Sequence, residues 1–215
     1  MDSLEALNKR FTITKEAMNA STLASIISKQ PTMLHISCHG SFDTVDGQRE
    51  FYLSIEDQKD TSREQRLTVT MLRQLLEQAK AENRADQLGL KRRQILLAFV
   101  SACQSEEMGQ AFLDAGVPIV IAVNAEAEVC DDACKIFSAS FYTGLLQGSS
   151  VVSSFANAKR RVQQSGGDYD ACCCAHKHDD DCLWYKFYQK NPKAAHEIHS
   201  RKCACPELGL ARGKR

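Results

Sequence analysis

Two runs of the chain, QILLAFVSAC (94–103) and VPIVIAVN (117–124), are apolar almost throughout and do not alternate with polar residues. Runs of this kind predict strands covered on both faces, as in a parallel sheet. TMLHISC (32–38), bounded by Gly40, predicts another strand, and EFYLSIED (50–57) a strand or hairpin arm. Phe11-Thr12-Ile13-Thr14 alternates and predicts a short edge strand. Elsewhere the spacing is helical. Ser21 and Thr22 are placed to cap a helix with Leu23, Ile26 and Ile27 on one face, closed by Pro31. Leu72, Leu75, Leu76 and Ala79 predict an amphipathic helix over 68–82. MGQAFLDAG (108–116) reads as a short helix stopped by Gly116. Asp131 and Asp132 open a helix carrying Phe137, Phe141, Tyr142 and Leu145. A last helix over 150–164 turns Val151, Val152, Phe155, Ala158 and Val162 inward. The stretches 58–66 and 83–93 are polar connections. Strands alternating with helices predict an α/β layer fold with a mainly parallel sheet. Such sheets carry their sites at the carboxyl ends of the strands.

Length and composition narrow this further. The 215 residues suit one domain with a small appendage. Lys+Arg and Asp+Glu both number 27, so no global field attracts nucleic acid or an anionic membrane. The N-terminus MDSLEALNKR has no apolar core of the secretory kind, and no stretch reaches the roughly 18 apolar residues of a membrane span. A cytoplasmic protein is expected. Its thiols stay reduced there, so the ten cysteines are not a disulfide framework. Composition shifts at SGGDYD (165–170), which divides a domain over 1–165 from a Cys/His-rich element and basic tail over 166–215.

Two apolar strands end in reactive residue types, one at Ser37-Cys38-His39-Gly40 and the other at Ser101-Ala102-Cys103. On neighbouring parallel strands these ends share one sheet edge. A thiol becomes a good nucleophile once an imidazole takes its proton. His39 is placed for that role, and the N–H groups of Gly40 and Cys103 for an oxyanion hole. Packing residues at two strand ends fit the same pattern.

The ordered set MLHISCHG, LLAFVSACQS, GQAFLDAGVPIVIAVN and VCDDACKIFSASFYTGLLQGSSVVSSFANAKRRV resembles the CHAT domain, the caspase-like peptidase domain related to separase. The resemblance covers about 10–165. It implies a caspase-like three-layer sandwich, with Cys103 as nucleophile and His39 as base or orienter, acting on a protein or peptide substrate. It also implies a specificity residue. Counting back from Phe141-Tyr142, Asp131 falls where the family and separase place an Asp in the pocket for the residue before the cut. With Asp132, Glu126 and Glu128 it would favour Arg or Lys there. Helix capping is the other role open to Asp131 and Asp132. Two departures stand out. Ala127 occupies a position where the family usually carries Trp, and the family's first, central strand is missing ahead of LEALNKR. Further domains or chains completing the sheet are expected.

In the tail, CCCAHKHDDDC (172–182) and HEIHSRKCAC (196–205) flank an aromatic stretch with Trp184, Tyr185, Phe187 and Tyr188. Thiolate and imidazole are the preferred zinc ligands. Cys172, Cys173, Cys174, His176, His178, Cys182, His196, His199, Cys203 and Cys205 are the candidates for a structural zinc, with the aromatics as a mini-core. A run of three Asp at 179–181 and the lack of a basic stripe argue against nucleic acid. The expectation is a cysteine endopeptidase of the caspase-like class, cutting after a basic residue. The alternative is a catalytically silent CHAT-like interaction module stabilised by zinc.

Overall fold

The computed structural model of the protein describes residues 12–58, 60, 63–85, 94–125, 127, 129–165 and 185–189. Glu126, Glu128, all ten candidate zinc ligands and the basic tail lie outside them. The described elements follow the order α1 (Ala20–Ser28), β1 (Met33–Ser37), β2 (His39–Val45), β3 (Gln48–Glu56), β4 (Glu64–Thr68), α2 (Val69–Ala85), β5 (Leu97–Ser101), α3 (Glu106–Asp114), β6 (Ile119–Val123), α4 (Asp131–Leu146), α5 (Val151–Gln164) and β7 (Tyr185–Gln189). The α/β class is as the patterning predicts. The chain divides into two compact units, one over 1–129 with 170–188, the other over 130–169 with 189–215.

In the first unit, β1, β5 and β6 run parallel, with Met33 opposite Leu97 and Leu97 opposite Ile119. The sheet order is β1-β5-β6-β7. Every residue of β5 and β6 is buried, which is why neither run alternates. Leu34, Ile36, Ala98, Val100, Val120 and Ala122 line one face and share a core with Leu23 and Ile27 of α1, Leu72 and Leu76 of α2, and Phe112 of α3. His35 lies flat on Phe99, its partner across the strands, with ring centroids 4.3 Å apart.

A second, antiparallel sheet of order β2-β3-β4 interrupts the parallel series. Its inner face buries Phe51, Leu53, Ile55 and Leu67. The turn from β2 to β3 is the two-residue loop Asp46-Gly47, with φ of 51° and 77°. Positive φ at both positions marks a type I′ turn, whose twist matches that of the strands it joins.

Several expectations change. Residues 12–19 form no strand, and Ile13 is 54% exposed. The N-cap of α1 is Asn19, not Ser21 or Thr22: its backbone is extended and its side chain accepts the Thr22 N–H at 2.9 Å. The supposed polar connection 58–66 ends in β4, which pairs with β3 and buries Leu67. Pairing and one buried side chain override a charged sequence there. The aromatic run 185–188 belongs to the sheet as β7, with Tyr188 packed against the core.

In the second unit α4 packs on α5. The Phe155 ring meets Phe137 edge-on at 5.5 Å. The Ser150 hydroxyl caps α5 by accepting the Ser153 N–H at 3.1 Å. Val152 stays 50% exposed; the buried stripe is Val151, Ser154, Ala158 and Val162, at helical spacing from the first.

Candidate active site

The strand ends meet as the parallel sheet requires. Ser37 and Ser101 are the last register pair of β1 and β5. One further bond, Cys38 N–H to the Ser101 carbonyl at 3.4 Å, carries the pairing past the end of β1. The chain then turns out of the sheet, and His39-Gly40 opens β2. Gly40 lies directly against Cys103. A Cβ at residue 40 would stand 2.3 Å from the Cys103 carbonyl oxygen and 2.8 Å from the Phe51 ring, so any side chain there forces the turn to shift.

Cys103 itself stands on a strained turn. Gln104 has a φ of 56°, left-handed backbone that a side chain disfavours. Its N–H donates to the Ala127 carbonyl at 2.9 Å, and this bond holds the turn. Ala127 is thus a buried brace in the segment after β6. The Cys103 sulfur accepts the Val129 N–H at 3.4 Å, and its thiol reaches the Val129 carbonyl at 3.7 Å. Among the described residues, no hydrogen bond links His39 to Cys103, and none uses the Cys103 N–H. His39 is exposed on the outward face of β2, while Cys103 is half-buried. The neighbouring Cys38, also half-buried, packs against the core, and this burial pushes its thiol up to about 12, so it stays protonated.

The phase of the hairpin decides where Gly40 points its amide. With a two-residue type I′ loop, Val45 and Gln48 are the first hydrogen-bonded pair, and bonded pairs alternate with unbonded ones along the ladder. Asp43, Ser41 and His39 therefore bond toward β3. Thr44, Phe42 and Gly40 turn their N–H and C=O groups outward. Thr44 agrees: its N–H is taken by the Asp43 carboxylate at 2.8 Å. The Gly40 N–H thus points to the outer edge of β2, and the Cys103 N–H has no partner among the described residues.

Two residues that the sequence did not single out hold this region together. The fully buried Ser105 hydroxyl donates to the Val100 carbonyl and accepts the Val123 N–H, each at 3.0 Å, and so ties the ends of β5 and β6. The Glu106 carboxylate accepts the Ala125 N–H at 2.9 Å and also bonds the Tyr188 hydroxyl. Burial and this carboxylate raise the Tyr188 phenol above its ordinary range. The only sequence signal for the pair was their place between a buried strand and the next helix.

Comparison with protein families matches residues 3–199 to the CHAT domain. The chain belongs to the CHAT-domain family. This family is related to the caspase-like peptidases. No curated protein and no solved structure matches the chain. The CHAT match runs past residue 165 and takes in β7. Of the other predicted site residues, Asp131 and Asp132 lie exposed in the first turn of α4. Asp132 pairs with Lys135 at 3.2 Å, and the N-cap is Cys130, which makes no side-chain cap bond. Among the described residues there is no group of three or more side chains able to hold a metal. None of the described helices is long and apolar enough to cross a membrane.

Proposed function

We propose that this CHAT domain is a cysteine endopeptidase. The observation that carries the proposal is the contact of Gly40 with Cys103, which makes His39-Gly40 and the candidate nucleophile neighbours on one rim. The Cys103 sulfur attacks the scissile carbonyl, and His39 takes the thiol proton and passes it to the leaving amine. The Gly40 and Cys103 N–H groups receive the oxyanion, each such donor being worth about 100- to 1,000-fold in rate. Water then hydrolyses the acyl-enzyme. The Val129 N–H supports the thiolate by donating to sulfur. Catalytic hydrogen bonds commonly tighten only when substrate is bound, so an open His39 is compatible with the role. The fold that accompanies this reading is the caspase-like three-layer sandwich.

Cleavage after Arg or Lys follows if Asp131, with Asp132, lines the pocket for that residue. A carboxylate in a partly dry pocket attracts a guanidinium and repels an acidic side chain. A structural zinc in 172–205 and a cytoplasmic setting belong to the same proposal. Further chain material completing the sheet has support in β1, an outer strand among the described residues. The second reading, a silent interaction module, is favoured by one observation: the Cys103 thiol is bonded to Val129 and not to His39.

A peptidyl acyloxymethylketone with arginine before the ketone separates the two readings. The peptidase is labelled, Cys103→Ala is not, and His39→Ala is labelled at least 100-fold more slowly. Equal labelling of wild type and Cys103→Ala would leave the silent module standing.

A further inference from the structure

We propose that the outer edge of β2, at Gly40 and Phe42, receives the substrate's main chain on the leaving-group side of the scissile bond as an added strand. The proposal rests on the peptidase reading. Four observations lead to it. β2 is an outer strand of its sheet among the described residues. The phase set by the Asp46-Gly47 turn aims the N–H and C=O groups of Gly40, Phe42 and Thr44 at that edge. The Asp43 carboxylate occupies the Thr44 N–H, so an added strand loses that donor at the far end, while the N–H groups of Gly40 and Phe42 stay nearer the nucleophile. Gly40, the first of these, abuts Cys103.

Chemistry sets the direction. The leaving nitrogen takes its proton from His39, so the chain attached to that nitrogen lies on the His39 side. β2 begins at His39, touches Cys103 at Gly40 and continues through Phe42. A leaving chain in extended form thus meets Gly40 and then Phe42. Pairing with a free strand edge draws its affinity from main-chain hydrogen bonds. The Phe42 ring is turned inward, edge-on to Phe51 at 5.2 Å, so this edge reads little side-chain identity. The substrate class that fits is a polypeptide with an extended, unpaired segment after the cut. A site inside a helix does not fit.

The test compares internally quenched peptides carrying arginine before the cut and four mixed residues after it with a coumarin amide of the same acyl part. The wild-type advantage in kcat/KM for the extended peptides is expected to be about tenfold, the worth of two main-chain hydrogen bonds. Phe42→Pro removes the edge N–H without touching the ladder, since proline is accepted on an outward edge. It should erase the advantage, whereas Phe42→Ala, which keeps the N–H, should retain it. An independent measurement needs no variant. Methylating successive amides of the peptide beyond the scissile one should weaken cleavage at every second position, as a strand's alternation requires. An advantage retained in Phe42→Pro, or a methyl scan without alternation, overturns the edge proposal and leaves the peptidase standing. Wild type that is neither labelled at Cys103 by the ketone nor active on either substrate overturns both.

Discussion

Cys38 and Cys103 stand at adjacent strand ends and face opposite chemistry. Cys38 packs against the core, and burial pushes its thiol up to about 12. Cys103 is likewise half-buried, but its sulfur accepts the Val129 N–H. Iodoacetamide at pH 8 should therefore modify Cys103 well before Cys38. Peptide mapping by mass spectrometry checks this, and equal rates at the two positions would contradict it. Gly40 makes the second residue-scale case. A methyl group there overlaps the Cys103 carbonyl, so the turn must shift. Gly40→Ala should cost about 100-fold or more in ketone labelling, since small displacements of aligned groups carry costs of that order. Far-ultraviolet circular dichroism should show the fold retained. Labelling at the wild-type rate would separate Gly40 from the site.

Two elements meet through single side chains. The Ser105 hydroxyl supplies a partner to one buried carbonyl on β5 and one buried N–H on β6. Ser105→Ala leaves both groups unpaired in a dry interior. A loss of about 1–3 kcal/mol is expected in urea unfolding, the desolvation cost of such groups. A loss below half of that would show that water or a neighbour replaces the hydroxyl. The contact of α3 with β6 is tighter still. A Cβ on Gly109 would lie 2.8 Å from the Ala122 methyl. Gly109→Val should destabilise by about 1–3 kcal/mol, the range for overpacked cores, with the same unfolding assay as the check. Helical spacing marked α3 in the sequence, but nothing in 108–116 showed that Gly109 faces β6. Only the register of helix on sheet reveals that.

At the scale of the whole molecule, the thiol and phenol groups set an alkaline limit. Cys38 has an ordinary value of 9.0 and is pushed up to about 12 by burial. Tyr142 and Tyr188 start from 10.0 and are also raised by burial, Tyr188 further by Glu106. Above pH 9 the unfolded chain gives up protons that the folded chain keeps. The stability these groups contribute is complete below pH 9 and is lost as pH rises toward 12. Thermal unfolding between pH 8 and 11 should show Tm falling, and Cys38→Ala should flatten the fall. A Tm independent of pH over that window would refute the assignment. What the sequence by itself determined is what local pattern encodes. Continuous apolar runs marked β5 and β6, helical spacing marked α2, α3, α4 and α5, and the ordered motifs marked the CHAT family. That the strand ends carrying His39-Gly40 and Cys103 share one rim was legible for the same reason, because parallel strands bring their carboxyl ends to one edge; that His39 turns to the outward face of β2, with no bond to Cys103 among the described residues, was not. The tertiary structure alone decided that His39 opens a second sheet, that β4 forms from a charged stretch, and that β7 joins the main sheet. It also decided that the Cys103 thiol rests on Val129, and that Ser105 and Glu106 brace the turn. Each of these depends on partners distant in the chain, and a hydrogen bond between distant residues leaves no period in the sequence.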